Sequence, residues 1–261
     1  MAGRRLRWPR PIIVLAAIGA LAVIGHTDSG TAADLVAVAW LPGAKSVEAP
    51  CRDRDDCGSP LKGGLRITFT GWACTAGFAA RATSDLEWYV VTAGHCLTGS
   101  GLYARWSHHG AIIGRAALDA FGDRSGVDAG AIEVSADSAS NELYGRDQDD
   151  IRRVTAIVPD RAQSLGTAVC RSGGTSGWSC GRVARQDIPI HLLGVPVAHT
   201  WWTDFPSATG DSGSPVIDRG GRLLGITIAT TPTQTIYVTA EDVLAALRVQ
   251  PCLQEDCRTS R

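Results

Sequence analysis

From Gly63 onward the chain breaks into short apolar, β-prone runs separated by turn residues. The first are Leu65–Phe69, Trp88–Thr92, Ala111–Ile113, Ala131–Val134 and Arg153–Val158; Leu223–Ile228 and Thr235–Val238 come later. Many short strands punctuated by glycine-rich turns predict an all-β barrel or sandwich. One stretch has helical periodicity instead. Thr239 supplies an N-cap, Asp242 lies three residues on as in a capping box, and Val243, Leu244 and Leu247 form one apolar stripe. Pro251 is expected to stop this helix, giving bounds of about 239–249. No internal repeat is visible, which leaves room for two halves of like structure and unlike sequence.

Ahead of Gly63 the texture differs. Arg4, Arg5, Arg7 and Arg10 precede an apolar run from Ile12 to Ile24, with small residues at Gly30-Thr31-Ala32-Ala33. The run is shorter than the roughly 20 residues that span a bilayer. Residues 1–33 therefore read as an export signal cut near Ala32 or Ala33. The alternative is an uncleaved anchor that would hold the protein at a membrane. Residues 34–62 carry Pro42, Gly43, Pro50, Gly58 and Pro60, and the charged run Arg52–Asp56. They are expected to be a poorly structured lead-in or short pro-segment, with the charged run a solvated loop.

Composition narrows the class. The 261 residues suffice for one large all-β domain or two small ones, and carry 44% hydrophobic and 20% charged residues with a net charge of −1. Removing the four arginines and one aspartate of residues 1–33 leaves 21 basic and 25 acidic residues, a net of −4. That balance gives no reason to expect nucleic acid as a partner. Eight cysteines behind an export signal favour disulfides and a secreted, extracellular protein. Short spacings suggest Cys51–Cys57, Cys170–Cys180 and Cys252–Cys257, leaving Cys74–Cys96; exchange between the two terminal pairs stays open. With no Cys-x-x-Cys pair, and with His108-His109 and His191 unsupported by carboxylate spacing, neither metal nor cofactor is expected. Trp201-Trp202 are expected in packing.

Three segments carry chemistry. In Gly210-Asp211-Ser212-Gly213-Ser214-Pro215, a serine hydroxyl needs a base to become a nucleophile, and the oxygen that turns negative in acyl transfer needs donors. Glycine at 210 lets backbone approach a substrate, so the Gly210 and Ser212 amides are candidate oxyanion donors. In Thr92-Ala93-Gly94-His95-Cys96, a histidine follows a strand and can face a cleft. In Val127–Val134, Asp128 opens an apolar strand, where a carboxylate requires a partner such as an imidazole N–H. Asp119, Asp123 and Asp137 are rivals in more polar surroundings.

The order His95, Asp128, Ser212, together with Val169-Cys170-Arg171-Ser172-Gly173 through Ser179-Cys180-Gly181, resembles the chymotrypsin-like serine protease family over about residues 63–250. It is most similar to the bacterial branch that includes α-lytic protease and the streptogrisins. The resemblance implies two packed six-stranded antiparallel β-barrels, about 63–145 and 150–238, followed by the C-terminal helix within a domain 63–261. It implies the bridges Cys74–Cys96 and Cys170–Cys180, and a serine endopeptidase acting on polypeptides through an acyl-enzyme. It also implies that Arg171 pairs with Asp211 to shape the oxyanion loop, and that Ile228-Ala229-Thr230 borders the substrate.

Departures touch the pocket. The family's Ser-Gly-Gly beside the substrate is Ile228-Ala229-Thr230, so a serine donor to the catalytic aspartate is missing unless Thr227 substitutes, and Thr230 is expected to narrow the pocket. The cysteine usually found before Gly-Asp-Ser is replaced by Pro206 or Ser207. With no acid in Pro206–Thr209, and Asp204 only slightly upstream, a small or medium apolar preference is expected over a trypsin-like one. Other readings are an inactive protease-like binding module and an esterase on the same scaffold. A monomer is expected.

Overall fold

The computed structural model describes residues 51–84 and 87–253; the expected export signal, most of the lead-in and Cys257 lie outside them. Among the described residues strands dominate, with two α-helices. No helix among the described residues is long and apolar enough to cross a membrane.

The C-terminal barrel closes on itself. Ala168–Gly173, Gly177–Arg185, Trp201–Thr203, Thr235–Thr239, Arg222–Thr230 and Pro215–Asp218 follow one another round the ring in antiparallel pairs, and the last pairs back with the first. Val169, Val183, Trp201, Val216, Leu224 and Tyr237 fill the interior. The Tyr237 hydroxyl donates to Gln163 Oε1 at 2.8 Å, and burial pushes its pKa far above the usual phenol value. Trp201 donates to Asp160 and Trp202 to Thr200, so the tryptophan pair belongs to the packing.

In the N-terminal barrel, Arg66–Phe69, Arg105–His108, Ala111–Asp119, Gly130–Val134, Trp88–Thr92 and Ala79–Ala82 are neighbours in that order. Trp72–Thr75 pairs with Arg66–Phe69, and its chain then continues past Gly77 into Ala79–Ala82. One bent stretch thus joins the two edges of the sheet. At the bend Ala76 N–H donates to Leu65 O at 2.9 Å and Gly77 N–H to Val91 O at 2.7 Å. Leu65, Ile67, Phe78, Val90, Trp106 and Ile132 form this core, which Ile217, Leu223 and Ile226 of the other barrel join. Within Arg222–Thr230 the run Leu223–Ile228 is buried throughout, because it serves both its own barrel and the junction. Each such aliphatic side chain removed from water stabilises the fold by about 1.5–3 kcal/mol.

Four expectations are corrected. The lead-in is structured from Cys51. Leu61–Gly63 pairs in parallel with Ala139–Tyr144, and Lys62, nearly buried, lies 3.5 Å from Glu142. The charged run is not wholly solvated either. Arg54 turns inward and donates to Gly64 O at 2.7 Å, to Ser172 Oγ at 2.8 Å and to Gly145 O, with its guanidinium 4.6 Å above the Tyr144 ring. A partly buried arginine is satisfied when several acceptors converge on its fork, and here they come from both barrels and their connector. The C-terminal helix spans Ala240–Leu247 and ends at Arg248, which is left-handed (φ 56°); Pro251 closes a further strand, Val249–Pro251, paired with Ala79–Ala82. The fourth correction is an added one-turn helix, Gly94–Thr98, directly after Trp88–Thr92.

Cys51–Cys57, Cys74–Cys96 and Cys170–Cys180 are bonded. The first of these closes the exchange that sequence left open. Cys252 is also disulfide-bonded; Cys257, its expected partner, is outside the described residues.

Candidate active site

His95 sits in the short helix Gly94–Thr98, and Asp128 lies two residues before strand Gly130–Val134, which pairs with Trp88–Thr92. Thr92 opposes Gly130 in that ladder, so strand register brings the histidine and the aspartate to the same barrel end. Asp128 Oδ1 accepts the His95 backbone N–H at 2.8 Å, and Oδ2 lies 2.6 Å from Nδ1. The carboxylate is fully buried while the imidazole side chain is 16% exposed. An ionised carboxylate only accepts, so Nδ1 carries the proton and Nε2 is left as the acceptor. Ser212 Oγ is 2.9 Å from Nε2 and donates to it. Asp128 and Ser212, respectively 33 and 117 residues from His95 along the chain, join it in one continuous relay at the barrel junction. Phe121 meets the imidazole edge-on, with centroids 6.1 Å apart.

Ile228, where the family's serine would stand, offers Asp128 nothing, and the buried Thr227 hydroxyl has no partner, so Thr227 does not substitute. Asp119, one of the rivals, is engaged elsewhere. It accepts from Phe121 N–H and from Thr98, and burial raises its pKa. Asp123 accepts from Ser125.

The loop around Ser212 is held from inside. Asp211 and Arg171 are both fully buried, with Arg171 Nη1 2.8 Å from Asp211 Oδ2. Asp211 also accepts from the Thr175 and Ser176 amides at 2.9 and 3.0 Å, from the Ser176 hydroxyl, and from Ala208 N–H at 2.8 Å. Burial alone would push this carboxyl up, but Arg171 and these donors outweigh it and hold it below the usual carboxylate range. Burial pulls the Arg171 guanidinium down against the opposing charge of Asp211. Gly173 leaves the space the guanidinium crosses; a Cβ there would collide with it.

Within the loop, Asp211 N–H donates to Ala208 O, Gly213 N–H to Thr227 O and Ser214 N–H to Asp211 O. The N–H groups of Gly210 and Ser212 have no acceptor among the described residues. Gly210 sits at φ 97°, a conformation other residues avoid, and a side chain there would strike Thr175.

Near the expected pocket, Thr230 Oγ1 donates to Ser207 O at 2.8 Å and accepts Ser207 N–H at 3.2 Å, tying together the two segments that sequence placed beside a substrate. Asp204 Oδ1 is taken by Arg182 N–H at 2.6 Å. A cavity of about 670 Å³ on the C-terminal barrel, lined by Arg146, Arg152, Trp178, Arg182 and Arg219 among others, includes none of the relay residues. No cluster of three His, Cys, Asp or Glu side chains suited to a metal exists among the described residues. His108 is buried against Arg66 O, an ordinary core position.

Sequence reading missed Thr75, Arg54 and the Thr175–Ser176 turn. For the first two the one signal was a polar side chain near cysteine, Thr75 after Cys74 and Arg54 between Cys51 and Cys57, which alone carries little information.

No protein-family model matches the chain. It is 26% identical over 182 residues to Serine protease 1 of Rarobacter faecitabidus, covering 65% of this chain and 32% of that protein. The chain thus spans about a third of the length of that curated relative. Among solved structures, Thermobifida fusca protease A is similar with a TM-score of 0.63 at 25% identity, over 74% of this chain and 98% of that one. A Nocardiopsis protease matches with a TM-score of 0.63 at 25% identity, over 73% and 98%.

Two antiparallel barrels with a His–Asp–Ser hydrogen-bonded run at their junction define a chymotrypsin-like fold. Its structural neighbours are bacterial chymotrypsin-like serine proteases.

Proposed function

We propose that this protein is a secreted serine endopeptidase. Ser212 Oγ attacks the peptide carbonyl while His95 Nε2 takes its proton. The C–N bond then breaks with the proton passed to the leaving amine, and water releases the acyl group by the same route. Asp128 steadies the imidazolium, and the Gly210 and Ser212 amides receive the oxyanion. The observation that carries this reading is the unbroken run Asp128–His95–Ser212, at 2.6 and 2.9 Å.

The pocket reading follows from two observations. The Asp204 carboxylate lines the arginine-rich cavity that includes none of the relay residues, which leaves it poorly placed to receive a substrate lysine or arginine, and the Thr230–Ser207 tie brings the pocket walls together. Both support small or medium apolar residues before the scissile bond. Secretion is supported by the disulfides, which persist in oxidising surroundings.

A fluorophosphonate label followed by mass mapping tests the nucleophile. Modification of Ser212 is expected, together with turnover of an apolar peptide panel that Ser212→Ala lowers by about 10⁶-fold. An unlabelled Ser212 would leave the inert binding module; ester turnover without peptide turnover would leave the esterase.

A further inference from the structure

Thr75 is completely buried at the end of strand Trp72–Thr75, on the N-terminal barrel, yet most of its bonds cross to the C-terminal one. Its hydroxyl donates to Gly210 O at 2.8 Å and accepts Gly174 N–H at 2.9 Å. Its own N–H donates to Ser212 O at 2.7 Å, and its C=O accepts the Thr92 hydroxyl at 2.9 Å. All of its polar groups are thereby used.

The pattern is selective. Gly210 and Ser212 are the two candidate donors whose N–H groups have no internal acceptor, and they are the two residues whose carbonyls Thr75 holds. Each carbonyl lies in the plane of the peptide that follows it, so holding Gly210 O and Ser212 O fixes the two peptide planes that flank the Ser212 N–H, one of which also adjoins the peptide carrying the Gly210 N–H. The anchor is itself rigid. Cys74, next to Thr75, is bridged to Cys96, next to His95, and Thr92 ends the strand that leads into the histidine helix. One residue therefore references the loop carrying the candidate oxyanion donors to the element carrying the candidate base.

We infer that Thr75 is a positioning residue that aims the Gly210 and Ser212 amides from the opposite barrel; the inference rests on the endopeptidase reading. Its hydroxyl touches no reacting atom. It acts by keeping two backbone donors converged on one point, where a displacement of about 1 Å can cost around 10²-fold in rate. Valine has nearly the shape of threonine, so Thr75→Val keeps the packing while leaving Gly210 O and Gly174 N–H unbonded. Serine keeps the hydroxyl.

The test measures kcat, KM and affinity for a peptide boronic acid, each per Ser212 titrated with fluorophosphonate. Thr75→Val is expected to lower kcat by roughly 10- to 100-fold and to weaken boronate binding in parallel, with KM within about twofold. Thr75→Ser is expected to recover most of the lost turnover. Should the valine protein not fold, Thr75→Ala is measured in its place against the serine variant. Wild-type kcat in the valine or alanine protein, a loss confined to KM, or a serine variant as slow as the valine one overturns the inference. Failure of the parent reading is distinct, since wild-type Ser212 would then not react with the label at all.

Discussion

Arg171 and Asp211 are charged side chains with no access to water. Removing one partner of such a pair leaves the other desolvated and unmatched, so Arg171→Met is expected to cost about 3–5 kcal/mol in urea denaturation. Asp211 adds a pH dependence of known sign. Its folded pKa is depressed, so its contribution to stability is fully present above the ordinary carboxylate value of about 3.9 and disappears as pH falls through the lower folded value. The stability gap between wild type and Asp211→Asn should therefore be constant near neutrality and shrink in acid; a gap that widened on acidification would contradict the assignment. At this scale the sequence was legible where chemistry restricts the residue type. His95, Asp128 and Ser212 stand in motifs that have other uses singly and become specific only together, through their order along the chain. Thr75 was hidden because any polar residue can occupy a strand end, and only tertiary contact shows what its hydroxyl meets.

Strands and helix are set by different signals. For the helix, Thr239 Oγ1 accepts Asp242 N–H at 3.1 Å, and Ala240, Val243 and Leu247 face inward. Thr239→Ala should lower stability by about 1 kcal/mol, read from the urea midpoint, with Thr239→Ser close to wild type. The cap and the apolar stripe were both readable in sequence. The stop was not: Pro251 looked like a terminator, but Arg248 turns left-handed three positions earlier and frees Val249–Pro251 to pair as a strand. The helix Gly94–Thr98 was similarly hidden, since five residues cannot show a 3.6-residue period. Arg153–Val158, expected as one strand, is divided into Ile151–Arg153 and Ala156–Ile157, which pair with different sheets.

For the molecule as a whole, the relay depends on how one barrel is docked on the other, because His95 and Asp128 come from the first and Ser212 from the second. Arg54 is a clamp in that docking. It bonds Gly64 on one side, Gly145 in the connector and Ser172 on the other, and Cys51–Cys57 closes the loop that carries it. Arg54→Met should lower stability by about 1–3 kcal/mol, read from the urea midpoint, by leaving carbonyls without donors. Lysine should recover only part of that, because an ammonium cannot reproduce the fork. Nothing in the sequence marked this segment as structural, since charge runs in Pro- and Gly-rich surroundings are normally hydrated; the arginine's three acceptors lie between 10 and 118 residues away.

Val249–Pro251, the last described strand, lies against Ala79–Ala82, near the start of the first barrel. On a ribosome the first barrel would wait with a bare β edge until Val249–Pro251 had been delivered, about 170 positions after Ala79–Ala82. Such late, long-range closure makes for slow maturation and a vulnerable intermediate. Chains truncated just after the helix should therefore be the ones that clump or are degraded, even though every residue of the candidate relay is already in them.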